Sequence, residues 1–261
     1  MKTELYYFSG TGNSLDIAKK IGKKIQNAEL VSIPKVINKK EISGDVIGII
    51  CPIYMHKPPL IVVEFIKKIK SAGYIFFVFS GGGSAGTGIS WTKRLFKKQG
   101  LHLDSLFNIA MPSNYTPYGC PDEKQQKQFF ESVDEKINSI EKAVKSGQKY
   151  SDSNDTGFFR SYIFPGTLYK IGYRFIKKMD GQFHAAGSCD GCGTCEKLCP
   201  VNNIKIENNV PVWKHNCEQC YGCLQWCPKQ AVEFGEKTAG ISRYHHPDIR
   251  LKEIIDSASA R

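Results

Sequence analysis

The sequence predicts an α/β domain with a parallel sheet, followed by a small α+β domain that is built around cysteines. Between residues 4 and 146, short apolar segments alternate with amphipathic helical patterns, as they do when helices join parallel strands. A polar, turn-rich stretch at 147–157 interrupts this alternation. Eight of the ten cysteines then follow within residues 189–228. The chain therefore divides into a main domain, a connecting region and a compact cysteine-rich domain.

The elements of the main domain can be placed in order from their apolar patterns. Strands are predicted at 4–8, 45–51, 74–80 and within 101–111, and helices at 15–26, 59–70, 88–99 and 122–146. In the first helix, Leu15, Ala18 and Ile21 fall on one face, as a helix that packs on a sheet requires. Pro58 and Pro59 favour the start of the second helix.

The cysteine-rich stretch contains the pattern C-x2-C-x2-C-x3-C-P twice, beginning at Cys189 and at Cys217, so that its internal repeat is 28 residues long. This is the spacing of the bacterial run that binds [4Fe–4S] clusters, in which the fourth cysteine of each run serves the other cluster. Structural zinc needs no third cysteine at this spacing, and a disulfide framework suits a short secreted chain, so both are disfavoured. The predicted ligand sets are Cys189, Cys192, Cys195 and Cys227 for one cluster, and Cys199, Cys217, Cys220 and Cys223 for the other.

A loop of small and hydroxylated residues lies between the first strand and the first helix. It consists of Ser9, Gly10, Thr11, Gly12, Asn13 and Ser14. Free N–H groups at a helix N-terminus bind anions, and this loop lacks both the Walker A ending and the G-x-G-x-x-G dinucleotide pattern. The loop therefore favours a single phosphate, and a generic turn with a helix cap is the alternative.

Two further loops leave the ends of the next predicted strands, at 52–59 and at 81–86. With the sequence F-S-G-T-G-N-S in the first loop, they resemble the phosphate loop and the two ring-flanking loops of flavodoxins. The resemblance implies a five-stranded parallel sheet of order 2-1-3-4-5 and a bound FMN. The complete chain is similar to a flavodoxin–ferredoxin fusion family of anaerobic bacteria and archaea, with a ferredoxin-like domain that binds two [4Fe–4S] clusters.

The resemblance implies a set of FMN contacts in addition to the loop Ser9–Ser14. They are Pro52, Ile53, Tyr54, Met55, Ser80, Gly81, Gly82, Gly83, Gly86 and Tyr115. Tyr54 or Tyr115 is expected to cover a face of the ring, or else to be a packing residue of its loop. The glycine loop carries no stacking aromatic, which departs from many flavodoxins and leaves one ring face open.

The predicted domain boundaries follow from these motifs. A flavodoxin-like domain is expected at 1–147, a linker and connecting helix at 148–182, a ferredoxin-like domain at 183–236 and a tail at 237–261. A helix within 167–179 is expected to pack between the domains, and a membrane-surface helix is the alternative. In the tail, Tyr244, His245 and His246 are interpreted as docking or surface residues. Cys51 is interpreted as a buried structural thiol rather than a redox group.

The charge of the chain is concentrated in its first part. The formal net charge is +11, and residues 51–100 contain eight basic residues and one acidic residue. We expect this face either to attract acidic redox protein partners or to be a solvated helix surface. Nucleic acid is disfavoured as a partner because no binding module and no interleaved aromatics accompany the charge. Without a signal-peptide pattern or an apolar run of about 20 residues, we expect a cytoplasmic protein without membrane association.

Two functions remain open at this point. The first is an electron-transfer iron–sulfur flavoprotein that passes electrons between two clusters and FMN and links a redox partner to a reductase. The alternative is an FMN-dependent reductase of a small molecule that uses the clusters as its electron supply. No catalytic residue is assigned, although Tyr54, His56 or Tyr115 could donate a proton in the second case, His56 being favoured by its pKa.

Overall fold

The computed structural model describes residues 1–152 and 175–258. Its main domain contains a six-stranded parallel sheet with helices on both faces. The strands are β1 (Thr3–Tyr7), β2 (Ala28–Ser32), β3 (Ile42–Pro52), β4 (Ile69–Gly81), β5 (Ser105–Ala110) and β6 (Tyr150–Ser151). The helices are α1 (Asn13–Lys24), α2 (Ile33–Val36), α3 (Leu60–Ile66), α4 (Thr87–Lys98), α5 (Glu123–Glu131) and α6 (Val133–Ser146).

The strand order is β2-β1-β3-β4-β5-β6, and all neighbouring pairs in this sheet are parallel. The first five strands follow the flavodoxin-like order 2-1-3-4-5, as predicted. The prediction of five strands was wrong, because β6 adds a sixth at the edge. This short strand is held by a stacked contact between the rings of Tyr150 and Phe107, 4.8 Å apart, and by the Asp152 carboxylate, which accepts the Asn108 N–H at 2.8 Å.

Two predicted helices have different ends in the structure. The helix expected at 122–146 is interrupted at Ser132, whose hydroxyl donates to the Phe129 carbonyl, so that α5 and α6 are separate. The helix expected at 59–70 ends at Ile66, and β4 begins at Ile69 because this residue pairs with Ile42 of β3. The break at Ser132 depends on a local hydrogen bond, and the early start of β4 depends on its pairing with β3. The pattern of apolar residues contains no information on either.

The core lies on both faces of the sheet. Alternate residues of β1 point to opposite sides, so that Leu5 packs with α1 and α6 while Phe8, just after the strand, packs with α3 and α4. Phe65 of α3 and Phe96 of α4 are buried on this second face together with Phe77 of β4. Helices α3 and α4 therefore share one face, as the predicted sheet order requires.

The cysteine-rich part consists of two small antiparallel pairs and short helices. Strand β7 (Phe183–Ala185) pairs with β10 (Val232–Phe234), and β8 (Ile204–Glu207) pairs with β9 (Val210–Trp213). Helices α7 (Thr194–Leu198) and α8 (Gly222–Gln225) each begin just before the third cysteine of a run and contain it. Of the predicted connecting helix at 167–179, residues up to 174 lie outside the described residues, and Ile176–Gln182 form a 3-10 helix.

The tail returns to the main domain and packs beside β1 and α1. Its helix α9 (Leu251–Ser257) ends at Ser257, whose hydroxyl bonds with that of Tyr7 at 2.8 Å. Glu253 of the same helix forms an ion pair with Lys19 of α1. Among the helices that the structure describes, none combines the length and the apolar character that crossing a membrane requires.

We expect Gly48→Ala to destabilise the protein by about 2 kcal/mol, because an added methyl group overpacks a tightly filled core. A Cβ atom at Gly48 would lie 2.3 Å from the ring of Phe76 and 2.8 Å from the side chain of Leu5. The melting temperature of the purified protein measures the effect. Gly187→Ala is the matched control, since a Cβ atom there meets no atom within 4 Å. Equal melting temperatures for the two variants would contradict the packing described for β3.

Candidate functional site

A cavity of about 470 Å³ opens at the carboxyl ends of the central strands, where open α/β sheets bind their ligands. We call it the large cavity. Residues from the ends of β3 and β4 and from the loop after β5 form one part of its wall, and the connecting region and the cysteine-rich part form the other. Its lining is Asn13, Ile53, Tyr54, Met55, Ser80, Gly81, Gly82, Pro112, Ser113, Asn114, Tyr115, Tyr118, Ile176, Met179, Gln219 and Tyr221.

The structure brings eight of the expected FMN contacts together in this wall. They are Asn13, Ile53, Tyr54, Met55, Ser80, Gly81, Gly82 and Tyr115. Pro52, Gly83 and Gly86 do not line it, and the space around a Cβ atom at Gly83 is open to 4 Å. His56, the favoured proton donor of the alternative function, is exposed and lies outside the lining.

The predicted phosphate loop is largely covered by the chain itself. The indole N–H of Trp226 donates to the Gly10 carbonyl at 3.0 Å, and the N–H of His246 donates to the Thr11 carbonyl at 2.8 Å. The Ser14 hydroxyl bonds with that of Ser80 at 2.7 Å. Of the six residues in the loop, Asn13 alone lines the large cavity. The loop is therefore a docking surface for the cysteine-rich part and the tail.

The tail residues interpreted as docking or surface groups divide between the two. Tyr244 and His246 are each 1% exposed and pack on the main domain as docking residues, whereas His245 is exposed and stacks on Trp226. The Tyr244 hydroxyl donates to the Asn13 amide oxygen at 2.6 Å, and the Asn13 amide donates to the Pro112 carbonyl at 2.9 Å. The tail thereby fixes the residue of the predicted loop that reaches the large cavity.

Each predicted set of four cysteines surrounds a cavity of its own. The inner cysteine cavity is lined by Cys199, Cys217, Cys220 and Cys223, and the outer cysteine cavity by Cys189, Cys192, Cys195 and Cys227. Backbone N–H groups point at three of the sulfur atoms, from Asn203 to Cys199 at 3.1 Å, from Gln219 to Cys217 at 3.2 Å and from Ala231 to Cys227 at 3.3 Å. Four sulfur donors with such hydrogen bonds could hold a metal centre.

The two cysteine cavities differ in exposure. Cys199, Cys220 and Cys223 of the inner set are buried, whereas Cys192 of the outer set is exposed. Burial raises the pKa of Cys220 to about 12 and that of Cys195 to about 12, so these thiols are neutral when no cation is near. A bound metal would invert this preference and hold them as thiolates.

Tyr221 lies between the inner cysteine cavity and the large cavity, and it lines both. Its ring packs against those of Tyr115, Phe183 and Phe234, with ring centroids 5.3, 5.5 and 5.3 Å away. Sequence reasoning missed Tyr221, and also Pro112, Ser113, Asn114, Tyr118, Ile176, Met179 and Gln219. Their residue types show no site pattern. Ile176, Met179, Gln219 and Tyr221 reach the wall only because the two parts of the chain dock.

Three polar atoms of the large-cavity lining are buried without a hydrogen-bond partner in the described part of the chain. They are the Tyr54 hydroxyl, the Gln219 amide nitrogen and the Tyr221 hydroxyl. Buried polar groups are rarely left unpaired, since each one costs about 1–3 kcal/mol of desolvation. A ligand with hydrogen-bonding atoms would satisfy them.

Glu218 joins the cysteine-rich part to helix α3. It is 5% exposed, and its carboxylate accepts the N–H of Ile61 at 3.1 Å. Burial raises the pKa of this carboxyl to about 7, against the lowering effect of the Ile61 N–H and of Lys177. The group therefore titrates near neutral pH at the contact between the two parts of the chain.

Comparisons with known proteins add the following. No protein-family model matches the chain, and no curated protein matches it. A flavodoxin from the domain Archaea is 17% identical, with a TM-score of 0.34 over 54% of this chain and 99% of that chain. The two-electron reduced Megasphaera elsdenii flavodoxin is 20% identical, with a TM-score of 0.31 over 51% of this chain and 98% of that chain. The Trp repressor binding protein of Bacillus subtilis is 11% identical, with a TM-score of 0.32 over 52% of this chain and 97% of that chain. The strand order of the main domain is by itself flavodoxin-like.

We expect the stability of the protein to fall by about 1.4 kcal/mol between about pH 6 and pH 8 through Glu218 alone. The pKa of this group is about 7 in the folded state against 4.5 for a free glutamate, so the folded state holds the proton more firmly. Stability that is present below pH 4.5 is lost as the pH rises through about 7.

Glu218→Gln should remove this part of the pH dependence, which melting temperatures measured across the range would show. Glu135→Gln is the control, because Glu135 is an exposed acid of helix α6 and is not among the charges that shift the pKa of Glu218. A Glu218→Gln variant whose melting temperature follows pH as that of the unaltered protein does would contradict the raised pKa.

Proposed function

We propose that this chain is an electron-transfer iron–sulfur flavoprotein, with FMN in the large cavity and one [4Fe–4S] cluster in each cysteine cavity. The placement of Tyr221 in the walls of both the inner cysteine cavity and the large cavity carries the proposal. Cys195 of the outer set is also close enough to Cys223 of the inner set to raise the pKa of the Cys223 thiol. The three sites thus form a short series from the outer cavity to the large cavity.

The residues of the large cavity fit a flavin ring. Its volume of about 470 Å³ lies in the range of cofactor sites, roughly 300–1,000 Å³. Gly81 and Gly82 line the cavity with backbone, and the aromatic rings of Tyr54 and Tyr115 supply apolar surface for a planar group. Asn13 marks the end of the cavity where the phosphate is expected, because it belongs to the loop at the start of α1.

The residues of the cysteine cavities fit iron–sulfur clusters. Each cavity offers four sulfur atoms, three of them from a C-x2-C-x2-C run and the fourth from the other run. The backbone N–H groups that point at Cys199, Cys217 and Cys227 would stabilise negative charge on the sulfur atoms. The hydrogen-bonded surroundings therefore suit thiolates that carry a reducible centre.

Bound clusters would supply one-electron transfer and a bound FMN would supply one- or two-electron transfer, so that together they would join the two kinds of chemistry. The chain itself sets the route. The buried inner set excludes water from the transfer, and the exposed Cys192 of the outer set offers the point of contact with a protein partner. Tyr221 and its aromatic neighbours keep the inner cavity and the large cavity in contact.

We propose an acidic redox protein as the partner, in agreement with the charge of the main domain. Lys93, Arg94, Lys97 and Lys98 of α4 and Lys67 at the end of α3 are exposed on one face. Such a surface steers an acidic protein by long-range attraction, which salt screens. The rate of reduction by this partner is therefore expected to fall as the ionic strength rises.

We expect anaerobically purified protein to contain about one FMN and about eight irons per chain. On rapid reduction by a light-triggered one-electron donor, the cluster absorbance should bleach first and then recover as the flavin absorbance falls. Recovery of the cluster absorbance is specific for transfer within the molecule, since direct reduction of the flavin by the donor leaves the clusters reduced. Anaerobic stopped-flow or flash spectroscopy measures both signals.

Two results would contradict the proposal. The first is a protein with eight irons that takes up no FMN from solution, which would leave the large cavity with another ligand. The second is a fully loaded protein in which the clusters stay reduced while the flavin stays oxidised. An acceptor other than the flavin would then be required.

A further inference from the structure

At two equivalent positions, the two cysteine loops share a left-handed backbone conformation but carry different residues. In the first loop Gly191 and Gly193 adopt left-handed conformations, with φ of 69° and 73°. Their counterparts 28 residues later are Gln219 and Tyr221, with φ of 53° and 58°. Glycine adopts this conformation without strain, whereas glutamine and especially tyrosine are disfavoured there. The second loop thus retains two side chains that its own backbone disfavours.

Packing space does not explain the difference at the tyrosine position. A Cβ atom at Gly193 would meet Ile206 at 3.9 Å, an ordinary contact, so the first loop has room for the start of a side chain but carries glycine. The second loop carries a tyrosine under the same backbone constraint. Strained residues that persist in a structure concentrate at functional sites, where the side chain has a role of its own.

Gln219 and Tyr221 also reach the large cavity. Among the described residues from 183 to 258, Gln219 and Tyr221 alone line it. They are 8% and 4% exposed, and the amide nitrogen of Gln219 and the hydroxyl of Tyr221 are both buried without a hydrogen-bond partner in the residues described. Both atoms can donate a hydrogen bond, and a buried donor without an acceptor is costly.

We infer that Gln219 and Tyr221 are binding residues for the flavin ring, which they hold from the side of the inner cysteine cavity by donating hydrogen bonds to its acceptor atoms. This inference rests on the proposed function and adds to it. The ferredoxin-like part then supplies more than a cluster, because it completes the flavin site of the main domain. Tyr221 contacts the ring on one side and lines the cavity of the inner cysteines on the other.

The test replaces each side chain and measures FMN binding to cluster-loaded protein by quenching of flavin fluorescence. Gln219→Gly restores the residue of the first loop and relieves the backbone, so it should not lower the melting temperature. Tyr221→Phe keeps the ring and its aromatic contacts and removes the hydroxyl alone. We expect each variant to bind FMN about tenfold more weakly, at an unchanged iron content.

Asn208→Gly is the matched control. Asn208 is an exposed residue with φ of 48°, and it lies outside the large cavity. Its replacement relieves the same kind of strain and should leave FMN binding unchanged. If the unaltered protein binds FMN and both cavity variants bind it within about twofold of the same affinity, the inference is wrong and the proposed function stands. If the unaltered protein binds no FMN, the proposed function fails and the inference fails with it.

Discussion

The contact between the phosphate-loop backbone and the second cysteine loop determines how the two parts of the chain are arranged. A Cβ atom at Gly10 would lie 2.5 Å from the Cys220 carbonyl oxygen and 2.9 Å from the Cys220 Cβ atom, so only glycine permits this approach. The Trp226 indole donates to the Gly10 carbonyl beside it, and the Asn114 amide donates to the Cys220 carbonyl at 3.2 Å. Because Cys220 lines the inner cysteine cavity, this contact also fixes the distance from that cavity to the main domain.

The same docking explains why two equivalent acidic residues of the repeat behave differently. Asp190 and Glu218 each follow the first cysteine of their run. Asp190 is exposed, and the N–H of Cys192 lowers the pKa of its carboxyl. Glu218 is buried against α3, and burial raises the pKa of its carboxyl. The two halves of this nearly symmetric motif therefore differ in environment, since Glu218 of the second loop packs on the main domain while Asp190 of the first loop is exposed.

Much of the fold and part of the site could be predicted because the signals are local. The apolar face of α1 follows from periodicity, and the two groups of four cysteines follow from spacing. The order of the first five strands follows from the resemblance to flavodoxins, and that order places α3 and α4 on one face. Strand β6 could not be predicted, because Tyr150 and Ser151 are polar and their pairing depends on β5. The covering of the predicted phosphate loop could not be predicted either, since Trp226 and His246 lie more than 200 positions away in the sequence.

The repeat contained a signal for Gln219 and Tyr221 that the sequence alone could not interpret. Aligning the two runs places them opposite Gly191 and Gly193, but a glycine in one copy and a larger residue in the other is ordinary variation unless the backbone is known. The left-handed conformation gives the difference its meaning, because it makes the side chain costly at that position. Both side chains line the large cavity, where contacts with a ligand would offset the conformational cost of the left-handed backbone. A local departure from the residue that the backbone favours therefore adds a second pointer to function in this part of the chain, beside the spacing of its cysteines.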